Sequence, residues 1–356
     1  MSYVGVMEWS VYVGVVEWVM SYVGVVEWCV YWVGLVTVAW WLVYIMLELV
    51  AGLRKFVWAR LVSPHQDLAR KYGGKWAVVT GCTDGLGKEY ARQLAKRGCN
   101  LVLISRTLHK LHNVQRQIES ECPGIETEVI QVDFTHGREV YPKITSHLQG
   151  KDIAILVNNV GLNIYPPKKF PDVSEEEIWD LVNVNMASVM MMTRLVLPGM
   201  SGRKAGAIVN LASVLAYYPL PHFGVYCATK AFVKSFSETL RWEVSGMGVT
   251  VQTLTPFVVT TKMTDYTKFT ATHGVLIPSA STYVTCALST LGHAGCTTGY
   301  WPHGVQLFVM EWVLGGWCVM MGTDLLFDYL LKKGAIGRKG RTGGQEMEKD
   351  KKEKKI

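Results

Sequence analysis

The stretch Trp76-Ala-Val-Val-Thr-Gly-Cys-Thr-Asp-Gly-Leu-Gly87 decides the fold of this 356-residue chain. It begins as an apolar run of strand length, passes through three glycines, and is followed by a helical pattern from Lys88 to Arg97. Glycines at such a turn allow a tight exit, a close approach of the backbone to a pyrophosphate, and close helix–strand packing. The helix N-terminus then attracts the phosphates. The residues predicted to line a dinucleotide are Gly81, Thr83, Asp84, Gly85, Leu86 and Gly87.

More apolar runs of strand length follow, separated by segments long enough for helices. The predicted strands after the first are 100–104, 128–132, 153–157, 207–211 and 250–254. Short buried strands that alternate with helices are typical of a parallel sheet covered on both faces. The sequence therefore predicts an α/β fold with a doubly wound parallel sheet, spanning residues 71–300.

Polar residues at the ends of these strands indicate which dinucleotide is bound. The second strand is followed by Arg106, which suits a 2′-phosphate, whereas a site for NAD usually has a carboxylate there. This favours NADPH or NADP⁺; the alternative is a solvated surface arginine. Asp133 and Asn159 follow the third and fourth strands, at the edge where ligands of open α/β sheets bind, and are also predicted to contact the cofactor.

The run Tyr226-Cys-Ala-Thr-Lys230 carries the predicted chemistry. On a helix, residues four apart lie on one face, so the ammonium of Lys230 would stabilise the anion of Tyr226. A phenol whose pKa is lowered in this way can exchange protons near neutral pH. Ser213 follows the fifth strand and offers a hydroxyl to a substrate carbonyl, and Asn185 lies in the helical segment after the fourth strand.

These motifs resemble the short-chain dehydrogenases/reductases over about residues 75 to 262. The resemblance includes the glycine turn, Asn158-Asn-Val-Gly161, the tetrad Asn185, Ser213, Tyr226 and Lys230, and the segment Pro256-Phe-Val-Val-Thr260. It implies a Rossmann-type fold and hydride transfer from NADPH to a ketone, with Tyr226 donating the proton. It implies that Ser213 holds the oxygen, Lys230 also binds the nicotinamide ribose, and Asn185 orders a water.

The same resemblance adds cofactor contacts and narrows the substrate. In the family, the segment after the sixth strand contacts the nicotinamide, which implicates Pro256, Val259 and Thr260; Phe257 stands where the family usually has glycine. Within the family the chain resembles membrane-bound 17β-hydroxysteroid dehydrogenases, very-long-chain 3-oxoacyl-CoA reductases and the hydroxysteroid dehydrogenase-like branch. We therefore expect a 3-oxoacyl-CoA or 17-ketosteroid substrate.

The alternative function is a catalytically silent, dinucleotide-binding scaffold. Some members of the hydroxysteroid dehydrogenase-like branch have lost the catalytic tyrosine and look inactive. Because Tyr226 is present here, we expect activity. The family commonly forms dimers or tetramers, so the resemblance leaves a homodimer open.

The segment before the catalytic domain predicts a membrane anchor. Trp28–Leu47 contains 20 residues without a charge, enough to cross a hydrocarbon core of about 30 Å as a helix. Basic residues follow this run and acidic residues precede it, which places the later domain in the cytoplasm. We predict an anchor over 28–50 rather than a cleaved signal peptide or a buried core helix, and a linker over 51–70.

Residues 1–27 form a separate extension in this scheme. Three near-copies of Tyr-Val-Gly-Val-Val-Glu-Trp lie there, and Met1-Ser-Tyr-Val-Gly-Val recurs from Met20. The glutamates of the copies share no helical face, which argues against an amphipathic helix. A duplicated start, with Met20 able to begin a conventional anchor, is the expected explanation.

The C-terminal third predicts further membrane contact. By analogy with the family, residues 261–279 are expected to cover the substrate, with Tyr266 and Phe269 among the apolar residues; ordinary packing of these residues is the alternative. The segment 301–331 is apolar, but charges interrupt it, so we expect contact with the membrane without crossing. The tail 332–356 is predicted to be disordered. Its end, Lys352-Glu-Lys-Lys-Ile356, resembles a dilysine signal of the endoplasmic reticulum membrane; a mitochondrial membrane is the alternative.

Charge and cysteine content exclude other classes. The formal charge is +7, and the tail with its ten Lys/Arg and four Asp/Glu carries +6 of it. The remainder is nearly neutral, which argues against a nucleic-acid partner. The eight cysteines form no CxxC pair and have no zinc-ligand spacing with the histidines, so we expect free thiols and no metal.

Overall fold

The computed structural model describes residues 3–53, 67–261, 274–314 and 316–332. The chain divides into two compact units, Met1–Arg54 and Lys55–Ile356. Most of the predicted linker, Tyr266 and Phe269 of the predicted cover, and the tail after Lys332 lie outside the described residues.

The first unit contains one helix, α1 (Tyr3–Leu53, 51 residues). At about 1.5 Å per residue this helix is about 77 Å long, more than twice a hydrocarbon core. The predicted extension over 1–27 is not separate from the predicted anchor, because both belong to this one helix. Its stretch Tyr12–Tyr44 is long and apolar enough to cross a membrane, and none of its most apolar window is buried. The crossing itself stays a prediction.

A seven-stranded parallel sheet forms the centre of the second unit, in the order β3-β2-β1-β4-β5-β6-β7. The strands are β1 (Trp76–Thr80), β2 (Asn100–Ser105), β3 (Thr127–Gln131), β4 (Ile153–Asn158), β5 (Gly206–Leu211), β6 (Val249–Leu254) and β7 (Cys296–Thr297). The doubly wound parallel sheet and its six predicted strands are confirmed, and β7 was not predicted. The strand order reverses between β1 and β4, which opens a crevice at their carboxyl ends.

Helices connect the strands and cover both faces of the sheet. They are α2 (Leu68–Lys71), α3 (Gly85–Ala95), α4 (Leu108–Glu121), α5 (Tyr141–Leu148), α6 (Glu175–Leu181), α7 (Ser188–Gly202), α8 (Gly224–Glu243), α9 (Ala280–Ser289), α10 (Trp301–Phe308) and α11 (Gly316–Lys332). A π-helical turn, Val182–Ala187, joins α6 to α7, and another, Val309–Leu314, follows α10. The stretch Glu175–Gly202 is also apolar enough to cross a membrane, but 44% of its most apolar window is buried in the sheet domain.

Alternating side chains of the strands build one apolar core on each face of the sheet. In β1, Ala77 and Val79 face the core that α3, α4 and α9 cover. Val78 between them faces the core that α5, α7 and α8 cover. Because successive residues of a strand point to opposite faces, a strand buried on both sides is mostly apolar, as β1, β2 and β4 are.

The folded domain extends beyond the predicted boundary at residue 300. Pro302 and His303 of α10 are buried, whereas Trp301 and Val305 of the same helix are half exposed. The segment predicted to contact the membrane therefore begins as part of the domain core. The described cysteine side chains form no disulfide: Cys29 is exposed, Cys122 and Cys296 are partly buried, and the buried ones are Cys82, Cys99, Cys227 and Cys286.

Candidate active site

The glycine turn after β1 forms a cradle in which side chains do not fit. Gly81 has φ +66°, and a Cβ there would lie 3.0 Å from both the Asn159 amide nitrogen and the Val160 Cα. A Cβ on Gly87 would collide with the Asn159 amide nitrogen and with the Gly81 carbonyl oxygen. Gly85 begins α3 with φ +53°, in the left-handed region that favours glycine. The backbone is thus free to approach a ligand at the helix N-terminus.

Hydrogen bonds fix this cradle against the end of β4. The Thr80 hydroxyl donates to the Val157 carbonyl at 3.3 Å and accepts the backbone N–H groups of Asn159 and Val160 at 3.0 and 3.1 Å. The Asn159 amide donates to the carbonyls of Thr80 and Gly81 at 3.0 and 3.1 Å. The structure therefore gives Asn159, a predicted cofactor contact, a clear part in shaping the turn.

The start of α3 and the end of β2 lie side by side. The Asp84 carboxylate accepts the Gly85 N–H at 2.8 Å, which explains why α3 begins three residues before the predicted Lys88. The Thr83 hydroxyl lies 3.1 Å from the Ser105 hydroxyl. Leu86, another predicted cofactor contact, lies between Gly85 and Gly87 in the first turn of α3.

Two predicted cofactor residues lie beyond this turn. Arg106 follows β2, is exposed, and makes no ion pair with any residue that the structure describes. Asp133 follows β3 and accepts the N–H and the hydroxyl of Thr135 at 3.1 and 3.0 Å, both through Oδ1. Asp133 therefore caps a short 3₁₀ helix, which leaves Oδ2 for other contacts.

The segment after β6 is held by a histidine that the sequence did not identify. The N–H of Phe257 donates to Nδ1 of the buried His303 at 3.3 Å, and the two rings lie 5.7 Å apart. Burial lowers the pKa of His303 to about 4, so its imidazole is neutral at neutral pH and can accept this bond. Nearby, Pro256 is partly buried, Val259 is buried, and the buried Thr260 hydroxyl has no partner among the described residues.

Tyr226 and Lys230 lie one turn apart on α8, as predicted. The Lys230 Nζ lies 5.6 Å from the centre of the Tyr226 ring and donates to the Leu211 carbonyl at the end of β5, at 2.9 Å. Tyr226 is partly exposed, and Lys230 is only 5% exposed. Burial lowers the pKa of Lys230 to about 8. The ammonium is therefore in a poorly solvated position, where its field on the neighbouring phenol is strong.

Asn185 links α8 to the loop after β4. It lies in the π-helical turn before α7 and is buried. Its amide oxygen accepts the Leu162 N–H at 2.7 Å, and its amide nitrogen donates to the Leu162 carbonyl and the Thr229 hydroxyl at 2.9 and 3.0 Å. Thr229 in turn donates to the Tyr226 carbonyl at 2.8 Å. A Cβ on Gly161 would lie 3.5 Å from the Lys230 Nζ and 3.7 Å from the Asn185 oxygen.

Ser213 lies two residues after the end of β5 at Leu211 and caps the short 3₁₀ helix Val214–Ala216. Its hydroxyl accepts the Leu215 N–H at 3.2 Å, and the Val214 N–H donates to the Pro256 carbonyl at 3.0 Å. The 3₁₀ helix also packs against α8. The turn carrying Ser213 is therefore joined both to α8 and to the segment after β6.

The sequence did not identify Thr229, Leu162, Gly161 or His303 as site residues. Gly161 and Thr229 fall inside the quoted motifs but carry no ionisable group, so composition gave no reason to select them. His303 lies about 50 residues beyond β6 in the sequence, and only the fold brings it under Phe257.

The sequence of this chain is similar to those of known proteins over most of its length. The short chain dehydrogenase family model matches residues 75–271. The chain is 42% identical over 311 residues to very-long-chain 3-oxoacyl-CoA reductase-B of Danio rerio, covering 86% of this chain and 94% of that protein. It is 43% identical over 268 residues to inactive hydroxysteroid dehydrogenase-like protein 1 of Homo sapiens, covering 75% and 80%.

A solved structure is similar in sequence and fold. It is a short-chain dehydrogenase from Sphingobium yanoikuyae in complex with NADPH, with a TM-score of 0.53 and 29% identity, covering 60% of this chain and 82% of that one. The family model covers more than half of this chain, and both relatives align over most of their length. The chain therefore belongs to the short-chain dehydrogenase family of oxidoreductases.

Proposed function

We propose that this protein uses NADPH to reduce a ketone on a lipid substrate to a hydroxyl group, with Tyr226 as the proton donor. One observation carries the proposal: Tyr226 lies one helical turn from the buried, cationic Lys230, beside the crevice at the strand ends. A chain that had lost catalysis would have no need to keep a lysine ammonium buried beside a phenol, since such burial destabilises the fold.

The residues around Tyr226 divide the chemistry among them. Bound NADPH supplies a hydride from the nicotinamide ring. Tyr226 donates its phenolic proton to the developing alkoxide, and Lys230 stabilises the phenolate that remains. Ser213 holds the carbonyl oxygen by a hydrogen bond. The hydrogen bonds of Asn185 support a positioning part, because they join the loop after β4 to the turn of α8 that carries Tyr226.

The described residues fit the cofactor in two places. The cradle formed by Gly81 and Gly87 leaves only backbone where a pyrophosphate would approach the start of α3. At the other end, the unpartnered hydroxyl of Thr260 suits a polar group such as the nicotinamide carboxamide. Along this edge, Asp133, Pro256 and Val259 would also contact NADP(H).

Arg106 is proposed to select NADPH by pairing with its 2′-phosphate. Arg106→Asp should lower the preference for NADPH over NADH by roughly 10- to 100-fold, because an attractive charge is replaced by a repulsive one. The ratio of kcat/KM for the two cofactors measures this. Arg116→Asp, which changes an exposed arginine on α4, is the matched control and should leave the ratio unchanged. An unaltered ratio in the Arg106 variant would show that its side chain is only a surface charge.

Two substrate classes and one competing function remain, and one assay separates them. Similarity to a very-long-chain 3-oxoacyl-CoA reductase along 94% of that protein favours a 3-oxoacyl-CoA. A 17-ketosteroid is the second candidate. Similarity to a relative called inactive favours a silent scaffold. Oxidation of NADPH by the purified full chain should be measured with 3-oxoacyl-CoAs of several lengths and with 17-ketosteroids. We expect oxidation with the acyl-CoAs; none with any ketone would support the scaffold.

We also propose that the protein works at a membrane, in the endoplasmic reticulum with its catalytic domain in the cytoplasm. The long apolar helix α1 supports the anchoring, and the exposed apolar residues of α10 and α11, such as Trp301 and Leu325, suit contact with a membrane surface. Extraction of cell membranes with alkaline carbonate checks this, since an anchored chain stays in the pellet and a peripheral one is released.

A further inference from the structure

We infer that His222, Asp324 and Asp328 form a site for a divalent transition-metal cation, most suitably Zn²⁺, which fastens helix α11 to the loop before the catalytic helix. Nε2 of His222 lies 3.4 Å from an oxygen of Asp324 and 3.2 Å from an oxygen of Asp328. One ligand atom of each residue lies within 4.8 Å of the other two. This site is separate from the proposed reductase chemistry.

The two separations from the His222 nitrogen fit two ligands of one metal ion. Two ligands of a tetrahedral Zn²⁺, with bonds of about 2.0–2.1 Å, stand about 3.3–3.4 Å apart, close to both separations from Nε2. Neither ring nitrogen of His222 makes a hydrogen bond with a described residue, although the His222 side chain is only 3% exposed. A buried imidazole aimed at two carboxylates without hydrogen-bond geometry is the arrangement that a cation would complete.

The local backbone holds the three ligands in place. His222 has φ +68°, in the left-handed region, and immediately precedes Phe223 and α8. Asp324 and Asp328 are one turn apart on α11 and therefore share a face. Phe327 between them packs against the rings of His222 and Phe223, with centroids 6.1 and 5.2 Å apart. Apolar contacts thus bring the helix to the loop, and the cation would lock it there.

The ammonium of Lys169 would compete with a metal ion for the Asp328 carboxylate. Its Nζ lies 3.2 and 3.3 Å from the two oxygens of Asp328 and neutralises part of the carboxylate charge. The side chain is 53% exposed and can move away. The two aspartates are also partly exposed, so water can complete a fourth coordination position.

Metal binding would restrain the cleft beside Tyr226. His222 lies four residues before Tyr226, and both line a small cleft together with Lys168 and Phe170. Fastening α11 to this loop would hold one wall of the cleft. Zn²⁺ should therefore slow hydrogen exchange in α11 and in the residues just before α8.

The test is a Zn²⁺ titration of the full chain, stripped of metal and held in detergent, against a chromophoric chelator. Wild-type protein should bind Zn²⁺ and melt at a higher temperature with it. His222→Asn, Asp324→Asn and Asp328→Asn should each weaken binding by more than about tenfold and lose the rise in melting temperature. Asparagine tolerates the left-handed backbone at position 222. His112→Asn and Asp172→Asn, which change exposed residues elsewhere, are the matched controls.

A variant that should bind Zn²⁺ more tightly than the wild type tests the site in a way that misfolding cannot imitate. Lys169→Met removes the competing ammonium from an exposed position and should tighten Zn²⁺ binding several-fold. The site is refuted if the wild type binds no Zn²⁺, or if the three ligand variants bind it as the wild type does. Unchanged affinity in Lys169→Met would equally contradict a cation at Asp328. None of these outcomes depends on reductase activity.

Discussion

Tyr226→Phe is expected to lower the rate of ketone reduction by about 10²- to 10⁴-fold while NADPH still binds. Phenylalanine keeps the ring that lies 5.6 Å from the Lys230 Nζ, so only the proton donor is lost. The measurements are steady-state kcat for the ketone and NADPH affinity by fluorescence titration.

The matched control is Tyr141→Phe. The Tyr141 hydroxyl is buried in the core without a hydrogen-bond partner among the described residues, so its removal leaves the active site untouched. That variant should keep full activity. If Tyr226→Phe also kept substantial activity, Tyr226 would not be the acid.

Lys230→Met is expected to have the second-largest effect, and it acts on rate and stability in opposite directions. Removing the ammonium leaves the Tyr226 phenolate unstabilised, so the rate should fall by roughly 10²-fold or more. In the wild type, the charged form of Lys230 is needed, and burial lowers the pKa of this group to about 8. Reduction should therefore be fastest below about pH 8 and decline as the pH rises through that value. The plot of kcat/KM against pH for the wild type measures this decline.

The effect on stability follows from the direction of the same pKa shift. The pKa of Lys230 is lowered from 10.5 in the unfolded chain, so burial disfavours the charged form. Below about pH 8 lysine is charged in both states, and the folded state bears the full cost. Between about pH 8 and 10.5 the unfolded state binds more protons, so wild-type stability rises with pH. At pH 7 the methionine variant should be more stable by roughly 1–3 kcal/mol, less the lost bond to the Leu211 carbonyl.

A neighbouring lysine supplies the control for both readouts. Lys234 lies one turn further along α8 and pairs with Glu238 at 3.0 Å, near the surface. Lys234→Met should change neither the rate nor its pH dependence, and stability only slightly. A Lys230→Met enzyme as active as the wild type would contradict the catalytic part of Lys230. A variant less stable than the wild type at pH 7 would contradict the proposed cost of keeping this charge buried.

The sheet was predictable because most of its first six strands are mainly apolar runs; β3 and β6 contain more polar residues but keep a strand-length apolar pattern. The last strand was not, since Cys296–Thr297 is too short to show a pattern. The spacing of Tyr226 and Lys230 predicted that they share a face if the segment is a helix, and α8 is that helix. The pattern of apolar and charged residues did not show that one helix, α1, runs from the repeats through the predicted anchor without interruption.

The candidate site was predictable where a residue brings its own chemistry and less so where it acts by position. Tyr226 and Lys230 can be selected by type, whereas Thr229 matters because its hydroxyl joins Asn185 to the Tyr226 carbonyl. Asn159 was predicted to contact the cofactor, and only its two hydrogen bonds show that it also shapes the turn. The pair of His222 with α11 spans about 100 residues of sequence, which no spacing rule for metal ligands covers.

The central claim is that this chain performs hydride transfer with Tyr226 as the acid. The most direct test supplies NADPH deuterated at both C4 positions together with a 3-oxoacyl-CoA or a 17-ketosteroid, and follows the product by mass spectrometry. We predict that the wild type yields a hydroxy product carrying one deuterium on the carbinol carbon and that Tyr226→Phe yields almost none. No deuterated product from any ketone with the wild type, or equal amounts from both proteins, would contradict the account.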